Sequence, residues 1–439
     1  MKKDISVTDV EIGFDVADLF FSTTDRKGII TSCNDVFTRV AEYHPSEALG
    51  KPHNLVRHPD MPRCVFALLW DYLLSGRSIG AYVKNRSKSG KYYWVFALAS
   101  PIDGGFLSIR LKPTSPVLDI VKGLYGQLLS REESFGQDWR AGMEAAKGDL
   151  LKALNGLGFS SYDEFMAEAL RAELASRYVQ LAQRGDKANS PLQEAFGDLQ
   201  GLQDLKSNLR NKNQFFLSFG TSLSRSSLNL GIKAAHLADQ GRALGVICSE
   251  ISSISGQVRI EAAKAAKEND RLTRELEASC FDISLAALLF EMLTYFSRER
   301  ERLKLSEAEQ LERLGNTFTN LQLLLESCLT ARVEKACASK GQLSTVLGSF
   351  ESSVEALTKI LLSVQFSFVT GRSLSATIPG SESFAALLSD IIGTADQARK
   401  EIEAIYQQVS GLHGKVRNWE LRASNTNSAS QNRYSEARV

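Results

Sequence analysis

Asn54-Leu55-Val56-Arg57-His58-Pro59-Asp60-Met61-Pro62 is followed by Phe66 and Trp70 and then by Lys84-Asn85-Arg86. Two prolines restrict the backbone on either side of Asp60, and each pushes the residue before it towards an extended conformation. The run is a built turn. Pro62 suits the start of a helix, Asp60 is placed to cap it, and Phe66 and Trp70 recur along it at helical spacing. For Arg57, His58 and Asp60 the plainer reading is a rigid turn with exposed charges. A basic pair beside an aromatic helix face also makes the wall of a pocket, and that reading points to a sensor rather than an enzyme.

Outward from this run, the chain changes character at Pro116. Seven of the nine prolines lie at or before it, and only Pro191 and Pro379 follow. The first part alternates β-branched and aromatic runs with turn residues, so Gly28–Ser32, Ile79–Asn85, Tyr92–Ala99 and Gly105–Leu111 read as strands of a small antiparallel sheet. Short helices fill the gap: Asp35–Tyr43 gathers Val36, Phe37, Val40 and Ala41 on one face, and Met61–Leu74 repeats Val65, Leu68, Leu69 and Tyr72. The fold class is therefore α+β, an antiparallel sheet, five-stranded on the family resemblance given next, with short helices followed by a long all-α region of bundle or coiled-coil type.

With Thr24-Asp25-Arg26-Lys27-Gly28-Ile29-Ile30 and Cys33-Asn34-Asp35 before it and Tyr92-Tyr93-Trp94-Val95 after it, the opening run resembles the PAS domain of the bacterial aerotaxis-receptor family, over residues 16–115. That family carries FAD, and the resemblance implies an FAD site at Asn34, Arg57, His58, Asp60, Phe66, Trp70, Asn85 and Trp94. A flavin dinucleotide needs a flat apolar slot, amides at the ring edge and a cation for the pyrophosphate, which Trp70, Asn85 and Arg57 supply by type. No glycine-rich dinucleotide loop is present, so such a site is of PAS type. Haem on His58, or no cofactor, are the alternatives.

Beyond Pro116 the sequence reads as helix almost throughout. Residues 117–190 form a helical insert: Gly156-Leu157-Gly158 ends one helix, and Ser161 with Glu164 caps the next. Long periodic helices follow over 191–305 and 306–422, with a break over Thr370–Ser383, and the Ser/Asn-rich residues 423–439 are expected to be disordered. Leu228–Ile251 is similar to the hairpin tip of the methyl-accepting chemotaxis receptors. Asn229, Ile232, Ala234-Ala235, Gly241-Arg242, Val246 and Glu250 stand in register with the family pattern, and the tip falls near 238–243. Leu223, Leu230 and Leu237 before it, and Ile247, Ile251, Ile254 and Val258 after it, carry the spacing of packed antiparallel helices. The resemblance implies a homodimer whose hairpins pair as a four-helix bundle, and a docking surface for the chemotaxis kinase and its coupling protein at Lys233, His236, Arg242, Leu244, Val246 and Glu250. Lys233 stands where the family has Glu, His236 replaces Arg and Leu244 replaces Phe, so that surface is altered in charge and shape. The only adjacent Glu-Glu pair, Glu132-Glu133, is far from any methylation helix, and no methyl-accepting role is expected.

The remaining features exclude more than they assign. The 52 basic and 51 acidic side chains leave a net charge of +1, which gives no field for nucleic acid. The six cysteines form no Cys-x-x-Cys pair and no signal peptide opens the chain, so a cytoplasmic protein is expected. The most apolar runs, Ile283–Leu293 and Leu357–Val369, are shorter than the roughly 20 residues needed to cross a bilayer, and they read as bundle core. No catalytic triad, metal cluster or P-loop is present. The expected function is a redox or oxygen-linked signal transducer. The other readings are a scaffold or adaptor whose helical part binds a protein, and a free-standing flavoenzyme, for which the PAS pocket leaves little substrate space.

Overall fold

The structure is a computed structural model that describes residues 7–185, 191–237, 241–304 and 311–435. Strands β1 (Leu19–Asp25) and β2 (Ile30–Cys33) are followed by helices α1 (Asp35–Ala41), α2 (Pro45–Ala48) and α3 (Arg63–Leu74), and then by β3 (Ile79–Arg86), β4 (Tyr92–Ile102) and β5 (Gly105–Leu111). The strands form one antiparallel sheet of five in the order β2-β1-β5-β4-β3, the α+β arrangement read from the sequence. Pairing of Phe20 with Arg110 and Arg110 with Ala97 puts these residues on one face, and Phe21, Ile109 and Leu98 occupy the next row on the other. Both faces are buried: Phe106, Ala97 and Ala99 on the first, Phe21, Leu111, Phe96 and Tyr82 on the second.

The segment between β2 and α3 that holds residues 52–57 runs along the first face. Ile29 bridges Pro52 and Arg57 bridges Asn85, so the segment between is fastened to the sheet at both ends. Asp60 does not cap α3. It accepts from Lys84 Nζ at 2.7 Å, and the N-cap position is Pro62, which offers no side-chain acceptor.

The insert has a clear structural task. Helices α4 (Val117–Glu133), α5 (Trp139–Gly156) and α6 (Tyr162–Gln183) follow β5, and α4 and α6 cover the second sheet face. Tyr82 donates to Glu173 Oε1 at 2.7 Å, Tyr162 donates to the Gly80 carbonyl at 2.9 Å, and Tyr125 donates to the Tyr82 carbonyl at 3.0 Å. The expected cap holds, with Ser161 accepting from Glu164 N at 3.1 Å.

Four long helices complete the chain: α7 (Pro191–Ala235), α8 (Arg242–Lys304), α9 (Leu311–Ser375) and α10 (Glu382–Ser435). The molecule divides into two compact units, residues 1–193 with 280–335 and residues 194–279 with 336–439. The division differs from the sequence-based boundaries at 305 and 306. The reason lies in residues 282–289, which are buried on every side of α8. A helix apolar all round needs cover on all faces. In the first unit α8 finds it against β1, where Phe296 meets the Phe21 ring edge-on at 4.9 Å between centroids, and against α9, where Ala286, Ala287 and Val333 cluster with Phe290 and Leu329.

The second unit is a four-helix bundle made by one chain. Ser227 of α7 donates to the Cys248 carbonyl of α8 at 2.8 Å, Lys212 of α7 pairs with Glu401 of α10 at 2.6 Å, and Gln365 of α9 donates to Asp396 of α10 at 2.6 Å. A Cβ at Gly371 of α9 would stand 3.2 Å from both Ile247 of α8 and Leu388 of α10. Buried Leu223 and Leu230, Ile247, Ile251, Ile254 and Val258 lie on the expected seam. Phe384, Leu388, Ile391, Ala395, Ala398, Ile402, Ile405, Val409, Leu412 and Val416 extend it along α10 at alternating spacings of four and three. The hairpin seam that was expected to need a second copy is thus closed within the chain. Two further features depart from expectation. Residues 423–435 continue α10, since no glycine or proline interrupts them and a helix once nucleated propagates cheaply. Residues Asn320–Ser375 of α9 are long and apolar enough, by length and composition, to cross a membrane, yet Leu343, Leu347, Phe350, Leu357, Leu361 and Phe368 within them are bundle core.

Candidate ligand-binding site

A cavity of about 280 Å³ opens between the first sheet face, α3 and the 52–57 segment. Its apolar walls are Phe66, Leu69, Trp70 and Leu73 from α3, which face Val83, Ala97, Ala99 and Phe106 of the sheet. Trp70 closes one end: its ring meets Phe106 edge-on at 5.6 Å and lies against Gly28. Gly28 has a φ of +77°, and a Cβ there would stand 3.2 Å from the Trp70 ring, so the turn before β2 and the indole fit only with glycine.

The polar lining carries one sign of charge. Lys27, Arg57 and Arg110 face the cavity, and no aspartate or glutamate does. Arg110 is the deepest. It donates to Ser22 Oγ at 3.2 Å and meets His53 Nε2 at 2.5 Å, with no carboxylate partner among the described residues. Burial pushes its pKa down to about 10. His53 must present an unprotonated Nε2 to that guanidinium, and burial, aided by the Arg110 charge, holds its pKa down at about 3. Arg57 is half-buried, with its guanidinium 4.4 Å from the centre of the Phe66 ring and donating to the Met61 carbonyl at 3.0 Å. Asn85 contributes a buried side-chain Nδ2 with no acceptor among the described residues, in a residue only 3% exposed. A buried donor left unmet is costly, and an acceptor brought against this atom would relieve that cost.

The folded state keeps His53 neutral below its ordinary pKa of 6.5, whereas the unfolded chain protonates it there. This contribution to stability is therefore full above pH 6.5 and is lost as pH falls towards about 3. His53→Gln, which does not titrate, is expected to lose less stability than the unaltered protein over that range in denaturant midpoints. Equal slopes would overturn the assignment.

Of the eight site residues expected from the sequence, Arg57, Phe66, Trp70 and Asn85 line the cavity, and Asn34, His58, Asp60 and Trp94 do not. Asn34 ties α1 to β1: Oδ1 accepts from Phe21 N at 2.9 Å and Nδ2 donates to the Leu19 carbonyl at 2.8 Å. Trp94 is on the second sheet face near Tyr125. His58 is buried behind the turn, where Nδ1 accepts from Asp60 N at 3.1 Å; it is not placed to ligate haem in the cavity. His53, Arg110, Gly28 and Phe106 were missed. A usable signal lay in β5, where Phe106, Ser108 and Arg110 alternate with Leu107, Ile109 and Leu111, because a charge in a strand with an apolar opposite face points into the interior.

At the hairpin turn, residues 238–240 lie outside the described residues, and the chain reverses between Ala235 and Arg242. Gly241 is packed so closely that a Cβ would come within 2.0 Å of the Ala234 carbonyl oxygen. Lys233, His236, Arg242, Val246 and Glu250 are exposed. Leu244 is fully buried; it belongs to the bundle seam, not to the docking surface where it was expected.

Residues 30–109 match the family model of the PAS fold. The N-terminal domain is a PAS domain. Over 112 residues the chain is 45% identical to the aerotaxis receptor of Escherichia coli K12, a match covering 24% of this chain and 22% of that receptor. The chain thus spans about a fifth of the length of the curated relative it matches. Among solved structures, a light-oxygen-voltage domain studied with a flavin analogue is similar at 17% identity and a TM-score of 0.23, covering 24% of this chain and 86% of that one. A PAS domain from Colwellia psychrerythraea is similar at 20% identity and a TM-score of 0.19, covering 22% and 86% respectively. The match to the family model lies within the sheet and short helices of the N-terminal domain.

Proposed function

We propose that this protein is a signal transducer that senses redox or oxygen-linked state through FAD in its PAS domain and passes the state to the helical bundle. The observation that carries the reading is the cavity: aromatic and aliphatic walls, three cations, no carboxylate, and the unmet Asn85 donor. These features suit a flat, hydrogen-bonding ring attached to a diphosphate. The 45% identity to an aerotaxis receptor over 112 residues supports the same choice. Bound flavin supplies a ring whose charge and hydrogen bonding change on reduction. In this chain Asn85 Nδ2 would donate to the ring edge, and Arg110, with neutral His53 behind it, would keep positive charge at the cavity floor. Trp70, Phe66 and Phe106 would exclude water, and Arg57 with exposed Lys27 would hold the phosphates.

Output follows from the two-sided sheet. Arg110 and Ser108 face the cavity, while Leu107, Ile109 and Leu111 of the same strand sit under the covering helices, so a shift of β5 is felt on both faces. A difference of roughly 1–3 kcal/mol between two helix packings is enough to signal. Coupling to a chemotaxis kinase is proposed through the exposed Lys233, His236, Arg242, Val246 and Glu250. A receptor-type homodimer would pair outward faces, since the seam is already closed. The test is an absorbance spectrum of the purified full chain before and after dithionite, with mass spectrometry of the released cofactor. Bands at about 375 and about 450 nm that bleach on reduction are expected. A Soret band, or a colourless folded protein, would overturn the flavin reading.

A further inference from the structure

Helix α3 forms the wall of the cavity, and its first backbone N–H groups need acceptors that its own N-cap, Pro62, does not offer. The acceptor comes from the far end of α4. Glu132 Oε2 accepts from Arg63 N at 2.9 Å and Glu132 Oε1 accepts from Cys64 N at 2.8 Å. Glu132 is 7% exposed although it is charged and stands in the last turn of its helix. The position is electrostatically suited to α3, whose N-terminus favours an anion, and unsuited to α4, whose C-terminus does not. A carboxylate retained against the preference of its own helix is there for the other one.

We propose that Glu132 is a positioning residue that couples the ligand-binding wall to the output helices: its carboxylate, carried by α4, is the N-terminal cap of α3, so a displacement of α3 by the ligand is transferred to α4. The cap is a discrete contact, either made by both oxygens or lost, and so behaves as a two-state element. The N-terminal end of α4 is held in turn. Glu173 of α6 accepts from Thr114 N at 2.6 Å and Ser115 N at 3.0 Å in the turn that leads into α4. Arg177, one turn further along α6, pairs with Glu291 of α8 at 3.1 Å. Cavity wall, α4, α6 and α8 are thereby linked by buried charge-assisted bonds within the first unit.

The inference rests on the flavin reading for what moves α3, and its test does not. Trp70→Ala perturbs the wall directly. Hydrogen exchange is followed over 63–66 and 128–133 in the full chain, in Trp70→Ala, in Glu132→Gln and in the double variant. In the Glu132 background, Trp70→Ala is expected to speed exchange in both segments together, by about tenfold, the scale of a lost bond to a charged acceptor. In the Glu132→Gln background it speeds exchange at 63–66 and leaves 128–133 unchanged. Arg63→Pro gives a second route: proline is tolerated at the first helical position, Pro62 already has the extended conformation required before it, and one donor to Glu132 is removed. It is expected to weaken the transfer as Glu132→Gln does. An equal response of 128–133 in both backgrounds, or none in the unaltered background, overturns the coupling. A colourless protein that passes this test would sink the flavin reading alone, and a flavin-bearing protein that fails it would sink the coupling alone.

Discussion

On the proposed flavin reading, replacing Asn85 by leucine is expected to lower the flavin content of the purified full chain by about tenfold while raising the stability of the flavin-free protein by about 1 kcal/mol. The two effects have opposite signs for one reason. Asn85 Nδ2 is a buried donor with no acceptor among the described residues, so the unliganded domain carries its desolvation penalty, which a bound ring would relieve. Leucine has nearly the same size and no donor, which removes both the penalty and the relief. Flavin absorbance per protein reads the first effect, and the denaturant midpoint of apoprotein, followed by Trp70 and Trp94 fluorescence, reads the second. A variant that loses flavin and is also less stable would mean that Asn85 serves packing rather than recognition.

The largest loss of stability is expected from Glu173→Leu, about 3–5 kcal/mol. Glu173 is fully buried and accepts from Tyr82 OH at 2.7 Å, Thr114 N at 2.6 Å, Ser115 N at 3.0 Å and Ser115 Oγ at 2.6 Å. Removing the acceptor leaves three buried donors and one half-buried donor unmet, and burial together with the Glu173 charge already pushes the Tyr82 hydroxyl pKa far up. Tyr82→Phe added to Glu173→Leu is expected to recover about 1 kcal/mol, because one of those donors goes with it. Chemical denaturation of the single and double variants checks both. A loss near zero for Glu173→Leu would mean that α6 does not need its bonds to β3 and the α4 turn.

Local rules made part of the site legible. Proline restriction placed the 52–62 turn, helical spacing placed Phe66 and Trp70 on one wall, and residue type singled out Arg57 and Asn85. Asn34, His58, Asp60 and Trp94 entered with the family resemblance, and local rules do not sort them from the residues that line the cavity. A strand shows its two faces by alternation, but which face holds the ligand depends on what covers each. Trp94 belongs to the face covered by α4, and that helix is a separate part of the chain. Arg110 was overlooked because a basic residue near a strand end reads as exposed until both faces are known to be buried.

Composition, periodicity and turn chemistry by themselves determined the change to all-helix after Pro116 and the cap at Ser161, because each depends on neighbours a few residues away. Partnerships between distant segments came from packing alone. Apolar spacing along α7 and α8 demanded a covered seam and was silent on whether a second copy or α9 and α10 covered it, since either supplies the same knobs for the same holes. Pro62 left the start of α3 without a cap, and nothing in residues 54–70 said that the cap would be a glutamate on α4. Burial of a charge is settled by the whole arrangement around it, and for this reason Glu132, Glu173 and Arg110, which read as ordinary surface residues in the sequence, are interior groups in the fold.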